Sequence, residues 1–162
     1  HHDVNLGLGG VYRTGFNSAS RDALVFLPAD GQIPARVIPR FHRRLQSADM
    51  VLGFMPERPA ALHARLLSLG ERALYRLLFG SFPRFQGAIM FRRRLLDEIE
   101  LRSDGRGWTI LMELILRAHR GDYTLVNEPT ELRQRDYGVS KVNNLRTVFS
   151  IVGQMVTLRR YL

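Results

Sequence analysis

Short, wholly apolar runs alternate along this chain with longer segments whose apolar residues recur at helical spacing, and this alternation restricts the fold more than any other feature. Runs without a polar residue are typical of strands buried on both faces of a sheet. Such runs occur at Ala23–Leu27, Met50–Leu52 and Gly87–Phe91, and Tyr123–Val126 is also expected to be extended. Helical spacing marks Val11–Ala19, Ala35–Gln46, residues 61–79, Trp108–His119 and Asn143–Tyr161. The order predicts a domain of the α/β class.

The composition sets bounds on what this domain can be. Its 162 residues are 45% apolar and 24% charged, which suits one domain with a core of its own and excludes a collagen or a disordered tail. The chain has no cysteine, so disulfides, thiolate zinc sites and cysteine nucleophiles are excluded. No stretch of about 18 uncharged apolar residues occurs, so the sequence predicts no membrane-spanning helix.

The chain is strongly basic. It has 24 basic against 15 acidic residues, a formal net charge of +9, and Lys141 is its only lysine. This charge favours an anionic partner: nucleic acid, a phosphorylated ligand or an acidic membrane surface. The arginine runs at residues 43–44 and 92–94 are interpreted as solvated faces rather than anion sites.

A glycine-rich stretch precedes the first predicted helix. Gly7, Gly9 and Gly10 would let the backbone approach a ligand at the helix start, where free amides favour phosphate. The stretch does not have the spacing of the dinucleotide fingerprint, and it lacks the lysine of the phosphate loop. A plain turn and helix start is the alternative.

A possible cation site follows the first predicted strand. Asp30 and Gln32 are two residues apart at its carboxyl end, where open α/β sheets place their ligands. Carboxylate and amide oxygens suit Mg²⁺ or Mn²⁺, particularly when a diphosphate supplies further ligands. An ordinary Asp-Gly turn is the alternative.

Two further features carry groups that chemistry could use. Arg135, Ser140 and Lys141 surround Gly138 before the last helix, a set of donors that suits phosphate, although a solvated loop is the alternative. Glu113 lies within a predicted helix and is the first carboxylate to examine if a general base is needed. Its alternative is a structural acid on a half-buried helix.

Taken in order, these motifs resemble family-2 glycosyltransferases of the GT-A fold, with the nearest likeness to the dolichol- or polyprenol-phosphate mannosyltransferases. The likeness runs in colinear order from Leu6 to Lys141. It rests on residues 6–9, 29–32, 49–53, 91–93, 112–114 and 127–129, and on the R-x-x-G-x-S-K motif at 135–141.

The resemblance implies a partial GT-A fold, a Rossmann-like three-layer α/β sandwich with a mainly parallel sheet that lacks its first strands. Residues 1–141 would be the carboxyl-terminal portion of the glycosyltransferase domain, and residues 142–162 an amphipathic basic helix. The base-binding strand and helix of the family are expected to precede His1. The terminal helix could lie on an anionic bilayer or pack on the core.

The resemblance also implies a reaction. Asp30 and Gln32 would bind Mg²⁺ or Mn²⁺, and the ion would bridge the diphosphate of a nucleotide-sugar donor. Arg135 and Lys141 would steady the diphosphate, Ser140 would shape their loop, and Gly7 and Gly9 would border the donor. A lipid phosphate acceptor, polyprenyl or dolichyl, would displace the diphosphate with inversion at the anomeric carbon, in the cytoplasm at the inner face of a bacterial membrane.

Three residues depart from the family pattern. Pro28 stands where relatives have an acid before Asp30, Met55 stands at a usual arginine, and Pro83 replaces another acid, with Arg58 or Arg84 as possible substitutes for the arginine. These departures keep open a non-catalytic scaffold or partner-binding domain. A nucleic-acid-binding domain is a third reading, but it is not expected because the aromatic residues do not interleave with the arginines.

Overall fold

The computed structural model describes residues 1–56, 70, 73–105, 107–131, 133 and 145–162, and these residues form helices and strands in alternation. In chain order, the first half comprises α1 (Gly7–Ser18), β1 (Ala23–Phe26), a short 3₁₀ turn (Ala35–Val37), α2 (Ile38–Leu45) and β2 (Met50–Phe54). The second half comprises α3 (residues 73–79), β3 (Ile89–Arg92), α4 (Arg94–Glu98), α5 (Thr109–Arg120), β4 (Leu125–Pro129) and α6 (Leu145–Tyr161).

The four strands form one mixed sheet in the order β1-β3-β2-β4. β2 and β4 pair in parallel, with Val51 opposite Val126. β3 runs antiparallel to both β1 and β2. Three strands therefore point the same way and only β3 is reversed, which confirms the predicted α/β class and the mainly parallel direction of the sheet.

Alternation along the central strands divides the core into two layers. Met50 and Leu52 contribute to the cluster under α1 and α5, whereas Val51 between them contributes to the cluster under α2. This follows from strand geometry, in which successive side chains point to opposite faces. All three residues are almost fully buried. Helices therefore cover both faces of the sheet, as the three-layer arrangement requires.

The terminal helix packs on the outer side of α5. Met155 and Leu158 of α6 are buried against Met112 and Leu116 of α5 and Phe79 of α3. In the part of α6 whose side chains are described, the buried apolar residues thus contact the protein itself. No helix among the described residues is both long and apolar enough to cross a bilayer.

Several elements begin elsewhere than the sequence predicts, among them α1, β4, and β3, which starts at Ile89 rather than Gly87. α1 starts at Gly7, four residues before the expected Val11, so Gly9 and Gly10 lie inside the helix rather than in a preceding turn. β4 starts at Leu125 rather than Tyr123. Its start follows Thr124, whose carbonyl accepts the amides of Asp49 and Met50 and so sets the register with β2.

The arginine run after β3 anchors backbone at the amino ends of the parallel strands. Arg92 donates from Nη2 to the Leu45 carbonyl at 2.8 Å, where α2 ends. Arg93 donates to the Ala19 carbonyl at 2.9 Å, just after α1. Arg92 and Arg93 therefore hold backbone of the fold, whereas Arg94 remains on a solvated face, with its side chain 52% exposed.

Candidate active site at the carboxyl edge of the sheet

The carboxyl ends of β1, β2 and β4 meet at one edge of the sheet, here called the carboxyl edge. α1 precedes β1 and α5 precedes β4, and both of these strands start at the opposite edge of the sheet. Because each helix ends near the start of its strand, both helices begin near the carboxyl edge. Open α/β sheets bind their ligands in this position.

Asp30 and Gln32 lie in a tight turn at this edge, beyond β1. The Gln32 amide donates to Asp30 Oδ1 at 3.1 Å. Gly31 between them has φ of +73°, a left-handed conformation that glycine adopts without strain. Asp30 is exposed and Gln32 half-buried. The Asp-Gly turn is thus present, and it presents the Asp30 carboxylate at the edge where a ligand is expected.

The segment after β4 is tied to this turn. The Arg133 amide donates to the Gln32 carbonyl at 2.8 Å. Two residues earlier, Glu131 pairs with Arg36 in the 3₁₀ turn. The hydrogen bond from Arg36 lowers the pKa of Glu131. The chain therefore reaches the Asp30 turn just before the predicted phosphate-binding residues Arg135, Ser140 and Lys141, which lie outside the described residues together with Gly138.

The glycines at the start of α1 are packed against protein. The Gly7 amide donates to Asn5 Oδ1 at 2.8 Å. Gly9 is buried, and a Cβ on it would overlap the carbonyl oxygen of Gly105 and lie 2.9 Å from that of Gly107. Gly9 is therefore explained by the close approach of the loop before α5. A role of either glycine in donor binding stays a prediction.

Glu113 is fully buried on α5, and its carboxylate accepts several hydrogen bonds. The amides of Arg102 and Ser103 donate to it, at 3.0 Å to both oxygens and at 2.7 Å to Oε2 respectively. Arg117, one turn further along α5, donates from Nε to Oε1 at 2.8 Å. The predicted role of Glu113 as a base remains untested, but the structure joins this residue to the loop before α5.

The donors at the carboxyl edge suit a hard cation. Among the residues that the structure describes, no group of three acidic or histidine side chains comes together as a ready metal site. The carboxylate of Asp30 and the amide oxygen of Gln32 are the kinds of ligand that Mg²⁺ and Mn²⁺ accept. The residues fit such an ion if a diphosphate and water complete its coordination.

Met55, one of the departures from the family pattern, and Arg84, a possible substitute for the missing arginine, lie near this edge. The Met55 amide donates to the Gln86 side chain at 2.9 Å. The carbonyl of Arg84 accepts from the Asn127 side chain at 2.6 Å, and Arg84 itself is exposed. Arg84 is therefore accessible at this edge, whereas Arg58 lies outside the described residues.

Three residues of this region were not predicted from the sequence. Arg36 and Arg133 connect the Asp30 turn to the segment after β4, and Arg13 of α1 reaches the carbonyls of the loop before α5. Their partners are about a hundred residues away along the chain, so no local spacing could have indicated them.

In comparisons with known proteins, no family model matches this chain. A polyprenol monophosphomannose synthase of Mycolicibacterium smegmatis is 27% identical over 155 residues, an alignment that covers 88% of this chain and 58% of that protein. The chain thus spans somewhat more than half the length of this curated relative.

A solved structure has a similar fold. Glucosyl-3-phosphoglycerate synthase from Mycobacterium tuberculosis, crystallised with uridine diphosphate, superposes with a TM-score of 0.63 at 16% identity. The superposition covers 95% of this chain and 55% of that protein. Both likenesses involve about half of a longer protein. The resemblance to family-2 glycosyltransferases of the GT-A fold, first indicated by the ordered motifs, is therefore confirmed.

Proposed function

We propose that this chain is part of a glycosyltransferase that transfers a sugar from a nucleotide-sugar donor to a polyprenyl or dolichyl phosphate. The relative's name, polyprenol monophosphomannose synthase, supports the lipid phosphate acceptor and favours mannose. The structural neighbour was crystallised with uridine diphosphate, which supports a nucleotide-sugar donor.

The observation that carries this proposal is the placement of the Asp30 turn. Its carboxylate lies at the carboxyl edge of a GT-A-like sheet, and the Arg133 amide binds the same turn at 2.8 Å. Arg135 follows two residues later in the sequence. One carboxylate and a nearby cationic segment are the groups needed to hold a cation-bound diphosphate.

In this proposal, the residues of the chain act by binding and charge stabilisation. Asp30 and Gln32 would hold Mg²⁺ or Mn²⁺, which when bound would supply charge neutralisation for the leaving diphosphate. Arg135 and Lys141 would contact the diphosphate oxygens, and Ser140 would donate a hydrogen bond to them. Positive groups fixed in advance around the developing charge would provide most of the rate enhancement.

The acceptor needs little activation if it is a lipid phosphate. The second pKa of a phosphate monoester is about 6, so its oxygen is already ionised near neutral pH. It would attack the anomeric carbon as the diphosphate departs from the opposite face, which inverts the configuration. A sugar hydroxyl acceptor would instead need a base, and the buried position of Glu113 favours the phosphate acceptor.

A lipid phosphate acceptor implies that the protein acts at a membrane surface. We place the protein in the cytoplasm, peripheral to the inner face of a bacterial membrane. Arg160 in the last turn of α6 is exposed and is available to anionic headgroups, whereas Arg159 beside it donates to the Leu78 carbonyl.

A second candidate function is a non-catalytic scaffold. Pro28 supports it, because proline cannot replace the acid that relatives carry two residues before Asp30. With Asp30 and Gln32 as the only protein ligands, the metal site would be weaker than in those relatives.

The test is manganese-dependent binding of UDP and GDP, followed by sugar transfer to polyprenyl phosphate. In the presence of Mn²⁺, Asp30→Ala should bind UDP and GDP at least about tenfold more weakly than the parent protein, because the substitution removes the charged ligand of the metal ion. Asp22→Ala is the matched control, because Asp22 is also exposed but precedes β1 at the opposite edge of the sheet.

Equal affinities for the parent and Asp30→Ala would remove the metal role of Asp30. Metal-dependent binding without transfer to any lipid phosphate would favour the scaffold over the enzyme.

A further inference from the structure

The loop that leads into α5, of which the structure describes residues 101–105 and 107, lies at the carboxyl edge and is held by side chains from two helices. The backbone amides of Arg102 and Ser103 in this loop donate hydrogen bonds to the Glu113 carboxylate. On its carbonyl side, Arg13 of α1 donates from Nη1 to Ser103 at 3.3 Å and to Gly105 at 3.5 Å.

Backbone contact completes this arrangement. Gly9 of α1 lies directly against the carbonyls of Gly105 and Gly107, with no room for a Cβ between them. The loop is thereby fixed to the start of α1, where the glycine-rich stretch was predicted to border the donor. The loop is therefore held from two directions, by Glu113 at the amides of Arg102 and Ser103 and by α1 at the carbonyls of Gly105 and Gly107.

We propose that Glu113 is a positioning residue that fixes the loop before α5 against α1 and so shapes the donor side of the site; this inference rests on the proposed function. Its carboxylate is fully buried, and both oxygens are engaged by donors of the loop and of Arg117. A general base must lie within hydrogen-bond reach, about 3 Å between heavy atoms, of the group whose proton it removes. Because donors of the fold already engage both oxygens of the buried Glu113 carboxylate, we assign its effect on the site to the loop that it holds.

The first test needs no variant. Hydrogen exchange should show the amides of Arg102 and Ser103 protected, although both residues lie outside the helices and strands. Protection should exceed that of the neighbouring exposed residue Asp104 at least tenfold, which corresponds to about 1.4 kcal/mol for a retained hydrogen bond. Equal exchange at all three amides would overturn the proposal.

The second test is Glu113→Gln, with Glu98→Gln as the matched control on an exposed residue of α4. Glutamine offers one acceptor oxygen and one donor group, so at least one loop or guanidinium donor loses its partner. Exchange at Arg102 and Ser103 should rise about tenfold or more in Glu113→Gln and stay unchanged in Glu98→Gln.

Kinetics separates positioning from proton transfer. In Glu113→Gln, KM for the sugar nucleotide should rise about tenfold, in the range seen when a supporting hydrogen bond is lost, and kcat should stay within about twofold. A fall of about a hundredfold in kcat with unchanged KM, together with loss of the acidic limb of the pH profile, would show a general base and overturn the proposal. If the parent protein neither binds a sugar nucleotide nor transfers its sugar, the proposed function fails. The hydrogen-exchange measurements then decide the role of Glu113 on their own.

Discussion

Gly9 illustrates how the absence of a single side chain can set the distance between two elements. A Cβ at this position would overlap the Gly105 carbonyl oxygen, which is backbone and cannot swing aside. We expect Gly9→Ala to lower the free energy of unfolding by about 1–3 kcal/mol, as overpacking of a tight contact does. Thermal or urea denaturation measures this change.

Gly15 provides the control on the same helix. A Cβ there meets nothing within 4 Å. Gly15→Ala should therefore leave the protein equally stable or raise its stability by up to about 1 kcal/mol, because alanine is the better helix former. Equal effects of the two substitutions would show that the loop does not contact Gly9 as described.

Asp49 links stability to pH at the opposite edge of the sheet. Partial burial raises the pKa of its carboxyl, but hydrogen bonds from the Thr124 amide and from Arg94 more than offset this, and the net effect lowers the pKa. The two bonds measure 2.9 Å and 2.5 Å. A carboxyl with a lowered folded-state pKa stabilises the protein above its unfolded pKa of about 3.9 and loses that contribution as the pH falls through the folded-state value.

We therefore expect Asp49→Asn to be less stable than the parent by about 1 kcal/mol at pH 7, as the loss of a charge-assisted hydrogen bond would make it. The difference should shrink as the pH falls below about 3.9, where the unfolded chain takes up a proton, and disappear below the lower pKa of the folded carboxyl. Urea denaturation between pH 3 and 7 measures it, with Asp97→Asn as control because the Asp97 side chain is 58% exposed. A stability difference that does not change with pH would contradict the role assigned to the ionised carboxylate.

At the scale of the element, α6 separates two interpretations of an amphipathic helix. Its sequence suits a bilayer surface as well as a protein core, but Leu158 is 1% exposed and packs on α5 while Val156 is 43% exposed. Leu158→Ala should cost about 2–5 kcal/mol of unfolding free energy. Val156→Ala, a truncation of a half-exposed residue on the same helix, should cost well under half as much.

Denaturation of both variants in the absence of lipid is the measurement. If Leu158→Ala were no more destabilising than Val156→Ala, α6 would not be packed on α5 in solution. The helix would then be available to lie on a membrane with its apolar side.

The elements show what sequence patterns can and cannot predict. The apolar runs predicted the starts of β1 and β2, because a buried strand leaves a continuous apolar signature, whereas β3 begins two residues after the start of its run. The start of α1 was wrong by four residues, because glycines suggest a turn unless the loop that packs on them is known. The start of β4 was displaced by two residues because pairing with β2, rather than local propensity, sets it.

For the molecule as a whole, the order of the motifs was enough to predict the class, the layers and the edge that carries Asp30. The contacts that organise that edge could not be predicted in the same way. Arg36–Glu131 and Arg133–Gln32 join segments about a hundred residues apart. Pairs so distant in sequence depend on the folded topology, and one sequence carries no periodic signal for them.

The structure also changes the interpretation of the net charge of +9. Many of the described arginines contact acids or backbone carbonyls of the fold. Arg40 and Arg44 pair with Glu128, Arg120 donates to the Phe79 carbonyl, and Arg159 donates to that of Leu78. Much of the positive charge therefore serves to hold elements together, so total charge overstates what is available to a polyanion.

Because much of the positive charge is engaged within the fold, we expect the protein to bind duplex DNA and nucleoside diphosphates in different ways. Duplex DNA should bind only in the range of non-specific contacts, with a Kd of about 10⁻⁶ M or weaker at physiological salt, and its binding should fall steeply with added salt and not respond to Mn²⁺. Retention of UDP or GDP should instead require Mn²⁺, because in the proposed site the diphosphate is held through a cation bound to one carboxylate. Fluorescence anisotropy of labelled DNA and calorimetry with each nucleotide measure the two affinities. Salt-resistant DNA binding about a hundredfold tighter, with no metal-dependent retention of either nucleotide, would instead identify a nucleic-acid-binding domain on this fold.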